Sequence, residues 1–154
     1  MGCTETGRDV FRGRAAARPA RRYGVLCAVA LGGGLGSVAR YLVGVAIPSS
    51  PGRLPWGTFV INVSGSLALG LLMVLVLEVW PPRRYVRPFL GVGFLGGYTT
   101  FSTVTAELLG LPPAGAVAYA LGSLAAGLAA VWAGMTLARL AASAARRRRT
   151  EEAG

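Results

Sequence analysis

The sequence predicts an all-α integral membrane protein built from four transmembrane helices. Three observations carry that reading: the placement of the charges, four long apolar stretches, and the turn residues between them. The chain has 154 residues, 53% apolar and 14% charged, with no histidine; all sixteen basic side chains are arginine, and the formal net charge is +10. From Gly24 to Ala138 only seven charges occur: Arg40, Arg53, Glu78, Arg83, Arg84, Arg87 and Glu107. A soluble domain needs a polar face on each surface helix, and this stretch has too few charges to supply one.

The elements follow in order. The run from Tyr23 to Ala39 is free of charge, and its apolar pattern continues past Arg40 to Ile47. Leu54 to Leu77 gives 24 uncharged residues, Pro88 to Ala106 gives 19, and Leu108 to Ala138 gives 31 including a Leu-Pro-Pro turn. A bilayer core of about 30 Å needs about 20 apolar residues in a helix. Spans are therefore expected near 24–47, 56–79, 87–110 and 114–139. Proline, serine and glycine mark the breaks at Pro48 to Gly52, Pro81-Pro82 and Pro112-Pro113. Trp56 and Trp80 bracket the second span as interfacial aromatics do. Residues 1–22 and 141–154 read as disordered, arginine-rich cytoplasmic tails around a membrane domain over 23–140. No cleavage is expected after the first apolar stretch, which is too long for a secretory h-region and contains Arg40.

With four spans, the N-terminus, the second loop and the C-terminus share one side, and that side carries fourteen arginines. The opposite side has Arg53, with Arg40 inside or at the end of the first span. The positive-inside rule places both termini in the cytoplasm of a cell-membrane protein. Without histidine or lysine there is no histidine base, P-loop lysine or Schiff base, so no enzyme is expected. Cys3 and Cys27 have neither disulfide-scaffold nor zinc spacing. The arginines flank apolar segments without interleaved aromatics, which favours lipid headgroups over nucleic acid.

Small residues recur at i, i+4: Gly32 and Gly36, Gly93 and Gly97, Ser66 and Gly70, Ser123 and Gly127. That spacing lets helix backbones approach closely in lipid. Four helices make a poor pore wall, which argues for a dimer or larger assembly. The third span carries Gly96-Gly-Tyr-Thr-Thr-Phe-Ser-Thr103, a weak helix former. Two arrangements follow from these residues alone: a helix broken near Gly96 to Thr99 with carbonyls freed to meet a cation, or an unbroken helix packed by its glycine face. Arg40 and Glu107 are intramembrane charges near span ends, open to a functional role or to snorkelling.

Three pieces carry a family resemblance: Gly32-Gly-Gly-Leu-Gly-Ser-Val-Ala-Arg-Tyr41, Trp56-Gly-Thr-Phe-Val-Ile-Asn-Val-Ser-Gly-Ser66 and Gly93-Phe-Leu-Gly-Gly-Tyr-Thr-Thr-Phe-Ser-Thr103. Together they resemble the small bacterial fluoride channels of the Fluc/CrcB family, over three spans in order. The resemblance implies antiparallel dimers of four-helix subunits, two fluoride pathways, and passive efflux that lowers cytoplasmic fluoride and its toxicity. It implies a central structural Na+ that is not transported, held by carbonyls of Gly96 and Thr99. It further implies a pathway along Asn62, Phe101, Thr100, Ser102, Thr103, Tyr119 and Ser123, with Arg40 and Glu107 at the vestibule. Two positions depart from the pattern. Val104 stands where the family has its second phenylalanine, and Gly127 stands where the hydroxyl track would continue. Those losses, with the one-sided arginines, point to a heterodimer with an oppositely oriented paralogue, a homodimer being the alternative. Two other readings compete: a small proton-coupled exporter, which needs a titratable acid deep in a span, and a non-transporting scaffold, which leaves the third-span motif unused.

Overall fold

The computed structural model describes residues 19–50, 52–81 and 83–152. Helix α1 spans Pro19–Ala46 and α2 spans Trp56–Val74, widening into a π-helical end over Leu75–Val79. The third segment, α3, is π-helical over Arg87–Leu95 and α-helical over Gly96–Tyr98. Helix α4 covers Ser102–Leu108, and α5 runs over Pro113–Glu152. Among the described residues there is no strand. Three helical stretches are long and apolar enough to cross a membrane: Tyr23–Ala46, Trp56–Val79 and Pro113–Ala145.

The third segment is broken. Thr99 turns to extended backbone at φ −73 and ψ 157, and helix resumes only at Ser102. Of the two arrangements that the residues left open, the broken helix is the observed one. Neither piece alone reaches the length of a bilayer crossing.

Helices α1 and α3 run parallel, seamed by glycine. A methyl group added at Gly32 would overlap the Phe89 carbonyl oxygen, at Gly36 that of Phe94, and at Gly97 that of Gly33. Backbone meets backbone here, the close approach that i, i+4 glycines allow. Helices α2 and α5 form a second parallel pair. Gly70 lies against the Val131 carbonyl, Gly134 against that of Leu67, and Gly127 faces the Ser66 hydroxyl. At one end Tyr119 donates to the Pro55 carbonyl at 3.1 Å, and at the other Arg139 pairs with Glu78 at 3.1 Å. The two pairs run in opposite directions, because the short turn after Ile47 brings its carbonyl against Gly57 at the start of α2.

The C-terminal tail departs from expectation. Residues 141–152, read from sequence as disordered, continue α5 as helix to Glu152. Alanine and arginine are strong helix formers, and extending an existing helix avoids the cost of nucleation. The N-terminal tail lies outside the described residues as far as residue 18; residues 19–22 already belong to α1. Large apolar side chains such as Leu31, Leu35, Leu124, Leu128 and Trp132 point outward, as contact with lipid or a partner requires.

Candidate functional site

The two helix pairs meet at the break. Helix α2 presents Thr58, Asn62 and Gly65, spaced so that all three lie on one face, toward the third segment. A methyl at Gly65 would overlap the Thr99 side chain, so glycine is what lets the extended backbone at Thr99 lie against α2. Beside this contact, the Ser64 and Tyr98 hydroxyls are 2.9 Å apart.

Asn62 grips the break at two points. Its Nδ2 donates to the Thr100 carbonyl at 2.8 Å, and its Oδ1 accepts from the Thr100 N–H at 2.9 Å. An amide carries two N–H groups, so one stays available for another acceptor. Thr100 is buried, and its hydroxyl organises the start of α4: it lies 2.9 Å from the Thr103 hydroxyl and 3.3 Å from that of Ser102, and accepts from the Thr103 N–H at 3.2 Å. The last of these bonds satisfies a backbone donor in the first turn of α4, whose N-cap position is Phe101.

Thr100 separates two cavities. One, of about 380 Å³, is bounded by Asn62, Gly65, Ser66, Gly96, Thr99 and Phe101 among others. The other, of about 410 Å³, is bounded by Ser37, Arg40, Tyr41, Thr58, Thr103 and Glu107 among others. Phe101 is 83% exposed at the rim of the first. Gly96 is open as well, since a methyl there would meet nothing within 4 Å.

The structure thus brings Asn62, Gly96, Thr99, Thr100 and Phe101 to one cavity, and Arg40, Thr103 and Glu107 to the other with Thr100 shared. Ser102 reaches the group through Thr100. Tyr119 and Ser123 do not join it within one chain. The Tyr119 hydroxyl is committed to Pro55, and that of Ser123 to the Ala120 carbonyl of its own helix at 3.0 Å. Val104 is buried and lines neither cavity.

Thr58 was not among the expected site residues. Thr58 is buried and donates to Glu107 Oε1 at 3.0 Å, while Glu107 Oε2 is buried with no partner among the described residues. The signal was available in Glu107 itself, because an acid at membrane depth needs a donor on a neighbouring helix. Arg40 Nη1 lies 3.4 Å from the Thr99 carbonyl oxygen, a long contact that brings a cation to the break. Among the described residues no group of three acidic, cysteine or histidine side chains is placed to hold a metal.

Comparison with known proteins reports on the same stretch. The model of the family described as CrcB-like protein, Camphor Resistance (CrcB), matches residues 27–135. The chain is 53% identical over 127 residues to a protein of Nocardia farcinica named fluoride-specific ion channel FluC 2, covering 80% of this chain and 91% of that one. It is 54% identical over 124 residues to fluoride-specific ion channel FluC 3 of Streptomyces avermitilis, covering 78% of this chain and 61% of the relative. With FluC of Solibacter usitatus it shares 53% identity over 116 residues, which is 72% of this chain and 95% of the relative.

Proposed function

The chain belongs to the CrcB-like family, and from that membership we propose that it is a fluoride channel, passing fluoride passively out of the cell and so lowering its cytoplasmic concentration. The observation that carries this reading is the broken third segment, with Asn62 and Phe101 on a shared cavity, in a chain about half identical to proteins named as fluoride-specific channels. The fold supports four crossings: α3 and α4 together run in the same sense as α1, opposite to α2 and α5.

Fluoride holds its water tightly, so a pathway must offer replacements. Asn62 has one N–H beyond those committed to Thr100, and the ring of Phe101 carries a positive edge that can meet an anion. Thr100, Ser102 and Thr103 supply hydroxyl donors beside them. Arg40 raises the local potential for an anion at the second cavity, and Glu107 borders the same entrance. Tyr119 and Ser123 are assigned to the same pathway as a hydroxyl track whose completion requires a second subunit.

The subunits form an antiparallel pair. A Na+ ion at its centre is structural and is not carried; the carbonyl oxygens of Gly96 and Thr99 suit a hard monovalent cation, and the open face at Gly96 suits a shared site. The test is fluoride efflux from liposomes holding the purified protein, alone and together with a paralogue of reversed charge bias. Selective fluoride release is expected from one of the two preparations. Absence of release from both, with assembly verified, rejects the reading.

A further inference from the structure

Resting on the sodium reading above, we infer that Asn62 is a positioning residue for the cation site: it aims the Thr99 carbonyl oxygen, and the Thr100 hydroxyl diverts the Thr103 N–H that would otherwise cover that oxygen. A trans peptide holds its C=O and the next residue's N–H on opposite sides of a rigid unit. The Thr99 C=O and the Thr100 N–H belong to one such unit. Because the Thr100 N–H points at Asn62 Oδ1 on α2, at 2.9 Å, the Thr99 oxygen must point away from α2. It does so, toward α1, where Arg40 Nη1 is its neighbour at 3.4 Å.

Asn62 also holds the next plane, through the Thr100 carbonyl at 2.8 Å, so the unit cannot swivel about its ends.

The same contacts remove competitors. In a continuous helix the Thr100 N–H would cover the Gly96 oxygen and the Thr103 N–H would cover the Thr99 oxygen. The first is taken by Asn62 Oδ1 and the second by Thr100 Oγ1 at 3.2 Å. Ordinary helical bonding resumes close by on either side, with the Thr99 N–H on the Leu95 carbonyl and the Thr105 N–H on that of Phe101, both at 3.0 Å. The donors of the two oxygens in question are thus both diverted to side chains within the break. Arg40 uses one lone pair of the Thr99 oxygen at long range, and a carbonyl has two. Asn62 itself is not a ligand in this scheme.

The experiment is a thermal-unfolding titration of the assembled full-length protein, in NaCl against N-methylglucamine chloride at fixed ionic strength. The wild type should show saturable Na+ stabilisation. Asn62→Leu removes both grips and should raise the Na+ midpoint by about tenfold, the scale of one or two lost hydrogen bonds. Thr100→Val, which frees the Thr103 N–H, should raise it by about threefold, and Thr100→Ser should restore it. An unchanged midpoint in Asn62→Leu overturns the inference. Should that variant fail to assemble, equal midpoints in Thr100→Val and Thr100→Ser overturn it. A wild type indifferent to Na+ removes the sodium reading itself and this inference with it, and it is read separately from the variants.

Discussion

Phe101 stands almost wholly clear of its own chain, at the rim of the cavity that Asn62 borders. An aromatic that buries so little surface contributes little to folding one subunit, so its substitution should separate function from stability. Phe101→Ile is expected to lower fluoride flux about fivefold to tenfold, the scale of one lost aromatic contact, while size-exclusion behaviour and unfolding temperature hold. Unchanged flux would remove the ring from the pathway. Thr58 is the reverse case. It is buried and supplies the one donor that Glu107 has among the described residues, at 3.0 Å. Thr58→Val leaves the carboxylate without a partner and should destabilise the protein by about 1–3 kcal/mol, while Thr58→Ser retains the bond and most of the stability. Equal unfolding midpoints for the two variants would show that Glu107 is solvated by another route.

Among the elements, the seam between α1 and α3 is the most demanding. A methyl at Gly36 would overlap the Phe94 carbonyl, whereas one at Gly34, two residues away on another face, meets nothing within 4 Å. Gly36→Ala must push two helices apart and is expected to cost about 1–3 kcal/mol, against less than about 1 kcal/mol for Gly34→Ala. Comparable unfolding temperatures would refute the packing. This seam was legible in the sequence because Gly32, Gly36, Gly93 and Gly97 carry their spacing openly, and three of the four expected spans were legible because bilayer thickness fixes the length of an apolar helix. The break was legible only as one of two options: Gly-Gly-Tyr-Thr-Thr suits a kink or a glycine face equally until Asn62 is seen to claim the Thr100 N–H, a contact 38 residues away in sequence. The pairing of Thr58 with Glu107 was legible only from the Glu107 side: an acid at membrane depth needs a donor, but a threonine on an apolar helix does not announce that it is the one. The π-helical stretches at Leu75–Val79 and Arg87–Leu95 have no signature in a pattern read at one helical period. The helical end of α5 was missed because an arginine run signals charge repulsion more loudly than helix propensity.

Over the whole molecule, the arginine distribution predicts how the chain sits in a bilayer. Helix α5 is 40 residues long, about 60 Å at 1.5 Å per residue and so roughly twice the bilayer core. Its surplus lies beyond Arg139, at the end where Glu78 closes α2, and that end also holds Arg83, Arg84 and Arg87. The opposite end offers Arg53 and at most Arg40 against fourteen. A reporter fused to the C-terminus should therefore fluoresce if it is a cytoplasmic fluorophore and stay inactive if it is a periplasmic phosphatase. Neutralising Arg83, Arg84 and Arg87 together still leaves eleven arginines on that side and should not change the outcome. A chain held to one orientation cannot supply both members of an antiparallel pair. Two distinct relatives, numbered 2 and 3, occur in Streptomyces avermitilis, so more than one such chain in a cell has precedent. The expected result is that this chain alone gives little fluoride efflux, and that co-assembly with a paralogue whose arginines lie at the other end restores it. The partner would also provide a phenylalanine where this chain has the buried Val104. Strong flux from this chain alone, with a phosphatase fusion active in a substantial fraction of copies, would mean that the arginine bias does not fix orientation and that the pair forms from one gene product.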